Sequence, residues 1–161
     1  MIIRKSTESD IPYADSIYSQ AKEFMRESGN PTQWKGAYPN GESVRADIEK
    51  GISYVCCDEG EVVAVFAFSV GNEPTYDKIY DGEWKKEGEY AFIHRIAVKY
   101  RGRGIIDFCF EECFKRFQNL KIDTHRNNLP MQKVLKRNGF DYCGIIYLEN
   151  GDERLAYQKT E

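Results

Sequence analysis

Long apolar runs are missing from this chain: nothing in it approaches the ~20 consecutive apolar residues that a membrane-spanning helix needs. The opening segment, Met1-Ile2-Ile3-Arg4-Lys5, turns polar almost at once, so no export signal is expected. A surplus of positive charge is absent too. With 23 Lys and Arg against 26 Asp and Glu the net charge is -3, which removes any general attraction to nucleic acid or anionic membrane. Basic residues matter only where they cluster. A disulfide framework is also lacking: the five cysteines are an odd number without regular spacing. Cys56 and Cys57 are adjacent in a strand-like run, and Cys109 and Cys113 stand one helical turn apart among Ile105, Ile106, Phe108, Phe110, Phe114 and Phe117. They read as small reduced core residues of a cytoplasmic protein, because a metal pair at 109 and 113 would lack its other ligands; no metal is expected. Finally there is no internal repeat, linker or low-complexity tract, and 161 residues suffice for one full core but are short for two. A single domain over 1–161 is expected.

What is present alternates. Ile2 to Arg4 reads as a short strand; Thr7 caps a helix whose apolar residues Ile11, Ala14, Tyr18, Ala21 and Met25 recur at helical spacing until Gly29-Asn30-Pro31. A loop with Trp34, Tyr38 and Pro39 leads to a second helix near Ser43 to Lys50. Ile52 to Cys57 and Val62 to Val70 form a hairpin around Asp58-Glu59-Gly60. Residues 71 to 88 make a long excursion anchored by Tyr76, Tyr80 and Trp84, followed by a strand from Tyr90 to Val98 and a helix from about Arg103 to Phe117. Leu120 to Asp123 is a strand, Asn127 and Asn128 open a helix with Pro130 in its first turn, and Gly139 ends it. Phe140 to Leu148 and Glu153 to Lys159 pair across Asn150-Gly151, a strong hairpin signal. The fold class is therefore α/β (α+β), in the order β-α-α-β-β-β-α-β-α-β-β.

The most informative stretch is His94 to Gly104, where a strand ends in a basic, glycine-spaced turn that opens an amphipathic helix. Glycines let the backbone approach a bulky anion, and the free N–H groups of the first helical turn point at it. A Walker loop is excluded because Ile105 and Ile106 follow Gly104, and a dinucleotide fingerprint is excluded because Asp107 stands where a third small residue is required. Lys99-Tyr100-Arg101-Gly102-Arg103-Gly104 instead resembles the acetyl-CoA loop of the GNAT superfamily of N-acetyltransferases, Gln/Arg-x-x-Gly-x-Gly/Ala, with Lys99 as a conservative departure. The segment Asp123 to Gln132 with Gly139-Phe140 downstream is similar to the second signature of that family, and the order of elements matches over essentially the whole chain.

The resemblance implies a mixed, mostly antiparallel sheet with helices on both faces. It further implies that the strands ending at Val98 and Asp123 splay apart to admit the pantetheine arm of acetyl-CoA. Backbone groups of Ile96, Ala97 and Val98 would line the arm, N–H groups from Tyr100 through Arg101, Gly102, Arg103, Gly104 and Ile105 would bind the pyrophosphate, and Asn128 would fix the arm from the other side while also serving as a plain helix cap. Strict alternation puts Phe92, His94, Ile96 and Val98 on one face, so His94 lies a few residues back toward the acceptor, as a general base or as a core histidine. His125 reads as a loop or capping residue. Many family members carry a tyrosine five residues before the Phe of Gly-Phe to protonate the leaving thiolate; here Leu135 stands there, leaving Tyr142, Cys143, Tyr147 or water. The acceptor site of the family implies Glu27, Trp34 and Tyr38, with Tyr147 and the excursion as walls, a set that suits a small cationic amine and equally suits packing.

Three function classes follow. The leading one is transfer of an acetyl group to the primary amine of a small molecule by direct attack in a ternary complex. A protein or peptide N-acetyltransferase is the runner-up, and a non-catalytic CoA-binding or sensor module is the third. No nucleic-acid or membrane partner is expected, and a homodimer is left open.

Overall fold

Residues 1–161 are described by a computed structural model. Along the chain run β1 (Ile2–Lys5), α1 (Ile11–Glu27), α2 (Gly41–Glu49), β2 (Ser53–Asp58), β3 (Glu61–Val70), β4 (Ala91–Val98), α3 (Ile105–Arg116), β5 (Asn119–Thr124), α4 (Leu129–Arg137), β6 (Asp141–Tyr147) and β7 (Glu153–Thr160). This is the expected order. Thr7 does not cap α1 directly: a single 3-10 turn, Glu8–Asp10, intervenes. Its Asp10 carboxylate accepts from the Thr7 N–H at 2.7 Å and from both ends of the Arg4 guanidinium at 2.7 and 2.9 Å.

The seven strands form one sheet in the order β1-β2-β3-β4-β5-β7-β6, antiparallel everywhere except at β4 and β5. That parallel pair is joined only at Ala91–Leu120 and Phe92–Lys121, after which the strands part. The opening sits at the carboxyl ends of two parallel strands, where α/β sheets gather their ligands.

Apolar residues on the two sheet faces explain where the helices lie. Ile11, Ala14, Ile17 and Tyr18 of α1 and Val44 of α2 pack on Val55, Val65 and Ala97. Ile105, Cys109, Phe110 and Cys113 of α3 and Leu135 of α4 pack on Phe66, Ile93, Ile96, Leu120, Ile122 and Leu155 of the opposite face. All five cysteines are buried free thiols. The excursion between β3 and β4 covers the remainder of the α1 face, with Tyr76 buried against Tyr90, Phe92, Ile146 and Ala156. Tyr80 exchanges two backbone hydrogen bonds of 2.8 Å with Ile145, stitching the excursion onto the edge strand β6.

Strict alternation along β4 does not hold. Val65 pairs with Ala97 but Ala67 pairs with His94, so two residues of β4 oppose one of β3, and Arg95 adopts φ +54°. This bulge puts Phe92, His94 and Ala97 on the α1 face and Ile93, Ile96 and Val98 on the α3 face. His94 and Ile96 therefore do not share a face. The bulge is held from outside the sheet: the buried Tyr18 hydroxyl donates to the Arg95 carbonyl at 2.7 Å, and the Arg95 guanidinium reaches Asp47 at 2.6 Å and the Tyr38 hydroxyl at 3.0 Å. A positive φ at a non-glycine residue is uncommon, and anchors of this kind are what sustain it.

Candidate active site

Two cavities of about 400 and 390 Å³ open on either side of the parted strands. They share Met25, Trp34, Ile96, Asn128 and Met131 as lining residues, so they meet in the gap between β4 and β5.

The first cavity runs along the α3 end. Ile96, Ala97, Val98, Tyr100, Arg101, Gly102, Gly104 and Ile105 line it, whereas Arg103, also expected there, does not. Lys99 donates its N–H back to the Val63 carbonyl, so by alternation Val98, and Ile96 a pleat earlier, turn their backbone groups to the gap. No N–H from Tyr100 to Asp107 donates a hydrogen bond within the protein; the first to do so in α3 is that of Phe108, to the Gly104 carbonyl. Gly102 and Gly104 have φ of +75° and +74°, and a Cβ at either would meet nothing within 4 Å. Glycine is thus required there by backbone conformation, with open space in front of the turn. An uninterrupted row of unpaired N–H groups at a helix start is an anion cradle, and it fits the pyrophosphate of acetyl-CoA. The side chains are less committed. Lys99 pairs with Glu61 at 2.6 Å, Arg101 lies 3.4 Å over the Phe24 ring, and Arg103 lies 4.2 Å over that of Tyr100.

Asn128 stands on the wall common to both cavities. Its side-chain oxygen caps α4 by accepting from the Met131 N–H at 3.1 Å, while its amide donates to Gln33 at 2.9 Å. The cap is real, and the amide group ties α4 to the loop after α1. His125 is a loop residue whose Nδ1 accepts from the Asn127 N–H at 3.0 Å.

The second cavity carries the titratable groups. His94 projects into it with Glu73, Asp123, Arg95, Arg154, Lys35 and Asp152 around the wall. Its Nε2 lies 3.9 Å from the Glu73 carboxylate and 3.4 Å from the Tyr76 hydroxyl, which donates to Asp123 at 2.7 Å. Phe92 packs against the imidazole, with ring centres 4.7 Å apart. Burial is the largest influence on His94 and pushes its pKa below the ordinary histidine value, outweighing the opposing pull of Asp123 and Glu73. At neutral pH the ring is uncharged and able to accept a proton.

Trp34 and Tyr38 line this second cavity as expected. Trp34 also meets Tyr18 edge-on, ring centres 5.7 Å apart, so it is both wall and packing. Three other expectations fail. Glu27 is exposed at the end of α1 and lines neither cavity. Tyr142 is 51% exposed and meets Tyr157 edge-on near the start of β6, and Tyr147, 45% exposed, packs on Tyr80; neither lines either cavity. Edge-strand side chains on the outer hairpin are separated from β4 by two strands, which chain proximity to the second signature does not reveal. Cys143 is buried beside the Asp141 carbonyl and lines neither cavity. Leu135, at the position of the absent tyrosine, is sealed in the α3-side core. The carboxylates that do face the site, Glu73 and Asp123, escaped sequence reasoning, because one lies in the excursion and the other near the end of β5 and only the folded chain brings both to His94.

The comparisons agree with this geometry. Residues 14–140 match the sequence model of the Acetyltransferase (GNAT) family. Among solved structures, an acetyltransferase of the GNAT family from Streptococcus agalactiae 2603 is 30% identical with a TM-score of 0.91, over 99% of this chain and 95% of that one. A ribosomal-protein-alanine N-acetyltransferase from Brucella melitensis shares the fold, with a TM-score of 0.60 and 21% identity over the whole of both chains. No functionally curated protein matches the chain. Parted parallel strands, an open N–H cradle and a family match over most of the length lead to one conclusion: the chain belongs to the GNAT family and is an acetyltransferase.

Proposed function

We propose that this protein is an acetyl-CoA-dependent N-acetyltransferase whose acceptor is the primary amine of a small molecule. One observation carries the reading: the cavity lined by the anion cradle and the cavity lined by a neutral histidine meet at Ile96 and Asn128. Donor and acceptor can then occupy the protein together and react directly. When bound, acetyl-CoA supplies the acetyl group as a thioester, and transfer to an amine gives an amide and a free thiol.

The residues of the acceptor side have definable tasks. A primary amine with a pKa near ~10 arrives almost wholly protonated and must lose a proton before it can attack. Glu73 and Asp123 attract the ammonium group, and neither is paired with a Lys or Arg side chain. His94, between them, takes the proton at Nε2, directly or through water. The imidazolium so formed is stabilised by the same two carboxylates, which raise its pKa against the effect of burial. None of the five residues at the meeting point is a titratable acid, so the departing sulfur takes its proton from water. With a thiol pKa near ~8.5, expulsion as thiolate at neutral pH carries little penalty.

The test is CoA release from acetyl-CoA across a panel of small amines and of peptides with free N-termini or lysines. Turnover of small amines above that of every peptide is the expected result. Preference for peptides would replace the acceptor class, and binding of acetyl-CoA without turnover of any amine would leave a binding module.

A further inference from the structure

The charges of the acceptor cavity are not evenly matched. Lys35 is taken by Asp152 at 3.2 Å, and Arg95 by Asp47 at 2.6 Å. That leaves the two carboxylates beside His94, and Arg154, all lining the same cavity. Arg154 is 5% exposed, yet it is in no ion pair; it donates to the Glu153 and Gln33 carbonyls, both at 2.9 Å, while the neighbouring Glu153 is engaged by Arg126. A guanidinium has five N–H donors, and these bonds use two. A buried cation is ordinarily paired, so a buried guanidinium without a counter-ion on a cavity wall marks where an anionic ligand group belongs.

Resting on the acetyl-transfer reading above, we propose that Arg154 forms an anion subsite, and that the acceptor is an amine that also carries an anionic group, of the amino-carboxylate kind. The ammonium end sits at Glu73, Asp123 and His94, and the anionic end at Arg154. Asp123 pairs with Ala156, and Arg154 lies two residues along β7 on the same face. Strand rise and spacing then set the Cα atoms of Asp123 and Arg154 about 8 Å apart, a span that one small zwitterion held by both side chains can bridge. An ordinary monoamine leaves the guanidinium unanswered. A peptide N-terminus carries its amine without a carboxylate at that reach.

The experiment uses matched probes: amino acids with the amine α, β or γ to the carboxylate, their carboxamides, and the decarboxylated amines. Binding to the full-length protein is read by calorimetry and turnover by CoA release. The carboxylate form is expected to bind and react about 10- to 100-fold better than its carboxamide, the effect of one charge-assisted contact. Arg154→Gln should bring that ratio close to one, and Arg154→Lys should keep part of it. The ratio is taken within one protein sample, so partial misfolding of a variant does not imitate the result. Equal use of carboxylate and carboxamide by the wild type, or no measurable binding of any amino carboxylate, overturns the subsite. Binding with the expected preference but no turnover overturns the acetyl-transfer reading and leaves the subsite standing.

Discussion

The two halves of the site are built from different materials. The half under α3 is backbone: a bare strand edge, a turn with two positive φ glycines and a row of unpaired N–H groups. The half around His94 is side chains, drawn from the excursion, β4, β5, β7 and the loop after α1. Backbone recognition concentrates its requirements in a few consecutive positions, because conformation is a local property. Side-chain recognition distributes them over elements that only the folded sheet brings together. The first kind can be shared across a family while the second changes with the acceptor.

If this contrast is right, truncating a side chain should matter mostly on the acceptor half. The largest effect is expected from His94→Ala, with kcat reduced by about 10²- to 10⁴-fold and acetyl-CoA affinity, read by calorimetry, nearly unchanged. A parallel loss of affinity and of melting temperature would return His94 to the core. Leu135→Tyr should cost about 1–3 kcal/mol in denaturant unfolding without raising kcat, because residue 135 is enclosed in the core and a larger side chain overfills it. A gain in turnover would mean that α4 can present the hydroxyl to the gap.

On the backbone half, Gly104→Val forces a β-branched residue into the left-handed region, costing about 1–2 kcal/mol. Acetyl-CoA binding should weaken about tenfold in consequence, whereas Arg103→Ala should change it only a few-fold. The smallest effect is on pH dependence. A base must be neutral to work, so turnover falls as pH drops through the depressed pKa of His94, below the ordinary value of about 6.5. Asp123 raises that pKa; Asp123→Asn removes the contribution and should move the acidic limb of kcat/KM to still lower pH. Movement toward higher pH would mean that another group controls the limb.

The same contrast explains what the sequence made legible. All seven strands and four helices could be placed because their signals are local: the Asn-Gly hairpin, Pro130 after the Asn128 cap, Gly139 with φ +84° at the end of α4, and the apolar spacing of α1. The cradle was legible for the same reason. The bulge was not, because nothing in Ile93-His94-Arg95-Ile96 marks Arg95 for a left-handed conformation; its anchors, Tyr18, Tyr38 and Asp47, lie on other elements. Glu73 and Asp123 stayed hidden because 50 residues separate them, and Glu27 drew attention only by standing at the end of the right helix.

The odd residue at Arg95 also separates two kinds of change. In a period-two pattern, one inserted residue reverses the assignment of every later side chain, so losing it would not merely shorten β4. Ile96 and Val98 would exchange sides with Ala97 and press on α1, and the α3 core would lose both. While the insertion stays, Phe92 and His94 face the acceptor side and can change with the acceptor, whereas Ala91, Ile93, Ile96 and Val98 stay committed to the packing beneath the cradle. Arg95 thereby sets which positions of the strand belong to the acceptor and which to the core, on both sides of the bulge.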